Sequence, residues 1–308
     1  MFKQAASGAI LALIWLFLGA ACFAAPFAAF VVDARTGEVL YSRNADTRLH
    51  PASLTKMMTL YLTFQAIRKG EITLDTKVRV SRNAAAEQPS KLGLKAGQKI
   101  ALRYLIRAAA VKSANDAATA IAEAIGGSEA AFVRRMNRMA REMGMTRTTF
   151  RNAHGLTAQG HLSTARDMTL LGRHVIYDFP QYYNLFSRRS TPVKGRTIYH
   201  TNRKFLASYP GADGIKTGYT AASGFNLVAS ARHGDKRIIT TVFGGRSTAT
   251  RNKKVAELMD LGFRRAPMRV ATRKPRLPGA VKPRVIRLVA AVVTSPRPLP
   301  RPARPPQD

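Results

Sequence analysis

The chain has 308 residues, 46% of them hydrophobic, with 50 Lys and Arg against 17 Asp and Glu and a formal net charge of +33 at pH 7. That length and apolar content fit an ordinary globular protein of one large or two small domains. One cysteine excludes a disulfide framework, and the charge alone would suggest a nucleic-acid partner.

The N-terminus argues otherwise. Lys3 precedes an almost uninterrupted apolar run over 9–21, and Cys22-Phe23-Ala24 places small residues where a signal peptidase reads. Residues 1–24 therefore read as a secretory signal cleaved after Ala24. The alternative is an uncleaved anchor, for which the run is short. Cys22 could be lipidated, although Gly19 stands where a lipobox carries Leu. Export sets nucleic acid aside as a partner and places the mature chain in the periplasm. Cleavage after Ala24 would leave no cysteine, and no Cys/His cluster has zinc-like spacing, so no metal is expected.

Residues 27–33 and 38–43 are two β-like runs joined by Arg35-Thr36-Gly37, the pattern of a hairpin. Residues 53–67 are apolar almost all round, which predicts a helix buried centrally and ended by Gly70. Residues 99–143 are helix-rich. In the last helix of that stretch Phe132, Met136, Met139 and Met143 recur at three- and four-residue spacing behind Ser128, a candidate N-cap. This stripe reads as core packing. Short strand-like runs return at 214–217, 225–231 and 237–243, and 250–263 reads as a terminal helix.

Strands at both ends with helices between them predict one α/β (α+β) sheet, closed by the N- and C-terminal segments, with an inserted helical lobe. The domain so defined spans 25–265. Residues 266–308 form a basic Pro/Arg-rich tail with ten Lys and Arg and a single acid, Asp308. Residues 296–306 are too proline-rich to pack a core and read as extended or disordered chain. Residues 285–293 are a short apolar island, read as a strand or a surface anchor.

Three elements carry chemistry. Ser53-Leu54-Thr55-Lys56 is an S-x-x-K, Ser113-Ala114-Asn115 an S-x-N, and Lys216-Thr217-Gly218 a K-T-G. Roughly sixty and then roughly a hundred residues separate them, and the three in this order are hard to obtain by chance. Lys56 lies one helical turn beyond Ser53 on the same face, within reach of its hydroxyl. A serine needs something to take its proton, so Ser53 is the candidate nucleophile and Lys56 the general base. The amine must then be neutral, and bringing it from its ordinary value to pH 7 costs about 4–5 kcal/mol. Burial, the helix N-terminus and a second cation, Lys216, would supply this. Ser113 suits a proton relay to a leaving amine, and Asn115 suits holding the substrate backbone and the lysine. Lys216 and Thr217 would bind a carboxylate, with Gly218 letting the strand lie close to the substrate. Backbone N–H groups of Ser53 and Tyr219 would form an oxyanion hole. A triad built on His154 or His161 is conceivable, but both read better as structural groups near the site.

With Asp33-Ala34-Arg35-Thr36-Gly37, Asn152-Ala153-His154-Gly155-Leu156, Ser163-Thr164-Ala165-Arg166-Asp167-Met168 and Asp213-Gly214-Ile215 added to the three elements, the chain resembles the serine-type D-alanyl-D-alanine carboxypeptidases. These are low-molecular-mass penicillin-binding proteins, and the likeness runs from Phe30 to Phe263. It implies a five-stranded antiparallel sheet flanked by helices, of the penicillin-binding-protein/β-lactamase type. It implies attack by Ser53 on the D-Ala-D-Ala bond of a peptidoglycan stem pentapeptide, with β-lactams as covalent inhibitors. Arg251 enters by this likeness alone, as an aid in holding the terminal carboxylate. No metal or organic cofactor is implied. Many such relatives carry a β-rich second domain and an amphipathic C-terminal helix, where this chain has its basic tail. A DD-endopeptidase of the same family is an alternative. A class A β-lactamase is another, but it needs a deacylating glutamate, and none lies between Glu142 and Glu257. A third is a non-catalytic binder whose tail contacts membrane or envelope polymers by charge.

Overall fold

The computed structural model describes residues 26–279. The signal, Cys22, the apolar island and the Pro/Arg run of 296–306 lie outside them.

Strands β1 (Ala28–Asp33) and β2 (Val39–Arg43) form the expected hairpin. Helix α1 (Lys56–Arg68) follows a 3-10 turn, Ala52–Thr55. The lobe runs from β3 (Lys77–Arg79) through α2 (Arg82–Ala86), β4 (Lys99–Ala101), α3 (Leu102–Arg107) and a π-helical turn, Ala108–Lys112, to α4 (Asn115–Gly126) and α5 (Glu129–Met143). Helices α6 (Ala165–Asp178) and α7 (Pro180–Tyr183), strands β5 (Ser190–Val193) and β6 (Arg196–Tyr199) and helix α8 (Arg203–Ser208) lead back to the sheet. It ends with β7 (Ala212–Thr220), β8 (Gly224–His233), β9 (Lys236–Gly245) and α9 (Thr248–Arg265).

The main sheet has five strands in the order β2-β1-β9-β8-β7. All its pairings are antiparallel, and β1 meets β9 with Ala28 opposite Phe243 and Asp33 opposite Ile238. The N- and C-terminal segments thus close the sheet as the sequence predicts, and β7 takes one edge. Alternation along β1 feeds two cores: Phe30 and Val32 join the helical side with Leu54, Met57 and Phe64, while Ala29 and Val31 face Val255, Leu258 and Met259 of α9. Both faces are covered, so every residue of β1 is buried. α1 runs through the larger core with ten buried residues, as its all-round apolar surface requires. The methionine stripe of α5 is buried too, and Ser128 caps that helix by accepting from Ala131 N–H.

The basic segment after 265 begins held against the domain: Arg35 donates to the Pro267 carbonyl at 2.7 Å and to that of Met268 at 3.3 Å. Arg273 N–H reaches the Arg35 carbonyl at 2.8 Å, and the Arg173 guanidinium donates to the Arg273 carbonyl. Buried guanidinium groups need acceptors, and main-chain carbonyls of this segment supply them, so 266–279 straps onto the domain. Among the described residues no helix is long and apolar enough to cross a membrane.

Candidate active site

Ser53 sits in the turn that leads into α1, and Lys56 is that helix's first residue. The Ser53 side chain caps nothing there. Lys56 Nζ lies 3.0 Å from Ser53 Oγ, 2.7 Å from Asn115 Oδ1 and 2.7 Å from the His154 carbonyl. The last two are pure acceptors and engage two N–H bonds. A neutral amine has two such bonds and one lone pair, so its lone pair is left facing Ser53 Oγ. Lys56 is fully buried. Burial first, and then the nearby Lys216 charge, hold its amine well below the ordinary lysine value. The geometry and the electrostatics thus both favour the basic form.

Asn115 is oriented by its own amide nitrogen, which donates to the Gln88 carbonyl at 2.8 Å and to that of Pro89 at 3.2 Å. This leaves Oδ1 to Lys56. Asp116 fixes the same region, its carboxylate accepting from the N–H groups of Leu92, Gly93 and Leu94. Ser113 does not cap α4; Ala114 precedes that helix and the Ser113 hydroxyl turns elsewhere. Coming off the π-helical turn with φ +65°, it adopts a left-handed conformation, which costs about 1–2 kcal/mol. Its Oγ there accepts from Lys216 Nζ at 2.8 Å.

Strand β7 brings the third element alongside. Gly218 is required by close approach: a Cβ there would lie 2.9 Å from the Pro51 carbonyl oxygen and 3.1 Å from Ser53 N. The glycine thus lets the strand press on the serine turn itself. Lys216 is fully buried, bonded to Ser113 Oγ and to the Thr217 carbonyl. Burial, helped by the Arg251 charge, lowers its amine to about 7. Thr217 donates to Thr201 Oγ1 at 2.7 Å. Tyr219 is exposed, its ring 4.3 Å from that of Phe225.

A cleft of about 340 Å³ is lined by Ser53, Ser113, Asn115, Thr217, Gly218, Tyr219 and Arg251. The structure therefore gathers every residue the sequence singled out, with Lys56 and Lys216 beneath the cleft rather than on its wall. Arg251 is buried, and among the described residues it bonds Asn252 Oδ1 and the Asn226 carbonyl. Burial lowers it to about 10. Among the described residues neither Lys216 nor Arg251 has a carboxylate partner, and no acidic side chain lines the cleft.

The histidines are structural. His161 Nε2 meets Thr55 Oγ1 at 2.9 Å, and burial holds its ring neutral, at about 3. His154 contributes its carbonyl to Lys56, while its ring lies between Glu87 and Glu129, at 3.3 and 3.7 Å. Neither glutamate is foreseen from the sequence, since neither belongs to a spacing motif. These three side chains are close enough to suggest a metal site, but the hydrogen bonding opposes it. His154 Nδ1 accepts from Leu156 N–H at 3.1 Å, which places the ring proton on Nε2, the atom a metal would need.

Comparison with known proteins gives the family. The family model described as D-alanyl-D-alanine carboxypeptidase, a peptidase family, matches residues 23–247. The chain is 40% identical over 240 residues to D-alanyl-D-alanine carboxypeptidase DacF of Bacillus subtilis, covering 76% of this chain and 61% of that protein. It is 39% identical to DacC of Escherichia coli, covering 76% of this chain and 60% of that one. The chain thus spans about three fifths of the length of these curated relatives. Penicillin-binding protein 5 from Haemophilus influenzae superposes with a TM-score of 0.74 at 33% identity, over 77% of this chain and 70% of that one. Penicillin-binding protein D2 from Listeria monocytogenes, solved in its ampicillin-bound form, gives 0.68 at 33% identity, over 77% and 96%.

Proposed function

Because the chain belongs to the D-alanyl-D-alanine carboxypeptidase family of peptidases, we propose that it removes the terminal D-alanine from peptidoglycan stem pentapeptides through an acyl-enzyme on Ser53. The observation that carries this reading is the composition of the cleft. A serine faced by an uncharged amine shares it with two buried cations that have no anion of their own. Buried charge without a partner is costly, and a substrate ending in a free carboxylate supplies the missing anion.

Lys56 Nζ takes the proton of Ser53 Oγ as the oxygen attacks the penultimate D-alanine carbonyl. The N–H groups of Ser53 and Tyr219 receive the developing oxyanion. Ser113 Oγ passes a proton to the departing D-alanine nitrogen and is resupplied from Lys216 Nζ, 2.8 Å away. Arg251 and Thr217 hold the terminal carboxylate, with the Lys216 charge beneath it. The proton Lys56 took from Ser53 passes on to the Lys216 site, restoring both amines, and water, now deprotonated by Lys56, releases the tetrapeptide as that proton returns to Ser53 Oγ. Penicillins, which end in a carboxylate beside a strained amide, acylate the same serine. With no acidic side chain lining the cleft among the described residues to activate water, that adduct persists, unlike the fast turnover of a β-lactamase.

The leading segment exports the chain to the periplasm, and the basic tail attracts it to anionic membrane or envelope polymers. Incubation with pentapeptide stems and with cross-linked dimers, followed by mass spectrometry, tests the main reading. Free D-alanine and a penicillin adduct on Ser53, both absent from Ser53→Ala, are expected. Cleavage of dimers alone would make the protein an endopeptidase, and an adduct on another residue would overturn the assignment of Ser53.

A further inference from the structure

Two neutral oxygens aim Lys56 at Ser53, and one carboxylate stands behind both. Glu87 Oε1 lies 3.3 Å from His154 Nε2, an ion-pair contact, and accepts the Thr119 hydroxyl at 2.8 Å. It thereby ties the residue whose carbonyl holds Lys56 to helix α4, which carries Asn115. In the main chain Glu87 immediately precedes Gln88 and Pro89, whose carbonyls orient the Asn115 amide. Its side chain is only 11% exposed, and it does not line the cleft, so substrate never meets it.

We propose that Glu87 is a positioning residue for the base: it clamps His154 and, through the adjoining main chain, Asn115, the two groups that point Lys56 at the nucleophile. This rests on the reading of Lys56 as the base. An electrostatic consequence follows. The charged groups acting on the Lys56 amine are Lys216 from β7, which pushes its proton off, and Glu87 and Asp116, which retain it. His154 faces the amine through its carbonyl, with its ring turned to Glu87. Asp116 shares its carboxylate among four main-chain N–H groups, those of Leu92, Gly93, Leu94 and Ala117. Glu87 is thus the acid whose loss can be read at the amine without unpinning that loop.

The sign is fixed. Removing the Glu87 charge lets Lys56 lose its proton more easily, so the acid limb of kcat/KM for D-alanine release moves to lower pH. For Glu87→Gln, which keeps the shape and the acceptor for His154, the expected displacement is roughly half a pH unit or more, with kcat largely retained. Glu87→Ala displaces the limb similarly and also lowers kcat about tenfold with little change in KM, because the clamp is lost. A group that served only to hold the fold would lower the melting temperature without moving the limb. An active wild type whose acid limb superimposes on that of Glu87→Gln, or a Glu87→Ala enzyme with full kcat, overturns the proposal. A wild type that neither releases D-alanine nor takes up penicillin sinks the functional reading instead.

Discussion

Gly155 joins the two halves of the catalytic arrangement, and its replacement by alanine is the sharpest mechanical probe of the site. Its φ is +92°, and a Cβ there would lie 1.9 Å from the Ala52 carbonyl oxygen and 2.9 Å from Thr55 Oγ1. No flexible side-chain end can yield to the first contact, since the obstacle is main chain. The left-handed conformation and the overlap together cost about 2–5 kcal/mol. At ~2–4 °C per kcal/mol for a domain of this size, the melting temperature should fall by roughly 5–15 °C. The displaced atoms are the neighbours of Ser53 on one side and of the His154 carbonyl on the other, so nucleophile and base separate. A misplacement of about 1 Å costs on the order of 100-fold. Stopped-flow acylation by a chromogenic β-lactam and a thermal melt measure the two effects. If the Gly155→Ala protein acylated and melted like wild type, the inferred contact between the two loops would be wrong.

Gly218→Ala is a milder version: its Cβ meets the Pro51 oxygen at 2.9 Å, and acylation should slow about tenfold at a stability cost of about 1–3 kcal/mol. Arg251→Gln should raise KM for the pentapeptide roughly 10- to 100-fold, the worth of a charged hydrogen bond, while the melting temperature holds or rises because an unpaired buried cation is gone; unchanged KM would remove Arg251 from the carboxylate site. Lys216, lowered to about 7, binds fewer protons folded than unfolded between about pH 7 and 10. Stability contributed by this group therefore rises with pH across that window, by at most about 1.4 kcal/mol per pH unit. Wild type should gain on Lys216→Met in melts taken from pH 7 to 9, and parallel curves would contradict the assigned burial. A chain ending at residue 279 should melt like the full-length protein but lose salt-sensitive sedimentation with anionic vesicles. Ending it at 265 should also cost roughly 2–4 kcal/mol, since Arg35 loses the Pro267 and Met268 carbonyls and Arg173 that of Arg273; equal melts for the two truncations would show the strap to be idle.

The site was legible because its motifs couple chemistry to local geometry. Ser53 and Lys56 are one turn apart whatever surrounds them, and K-T-G reads as a strand by itself. The closing of the sheet by both chain ends followed from where the strand-like runs fall. The depth of Lys216 was not legible, since it depends on how α1, the lobe and β7 pack together. Glu87 belongs to no spacing rule and reaches His154 only through the fold. Helix α6 carried a readable start, with Thr164 accepting from Asp167 N–H, but no strand-like or all-apolar pattern to draw attention to it. The strap of 266–279 is held by main-chain acceptors, and a composition dominated by Pro and Arg hides such bonding.

The unmatched cations beneath and beside the cleft have a practical consequence. Small oxyanions of laboratory buffers, phosphate and sulfate among them, can occupy the place a peptide terminus is meant to take. Assays run in such salts will understate affinity, and thermal shifts seen on adding them report occupancy of the pocket rather than general salting effects. Kinetic comparison among variants of this protein therefore belongs in zwitterionic or chloride media, with the ionic composition held constant throughout.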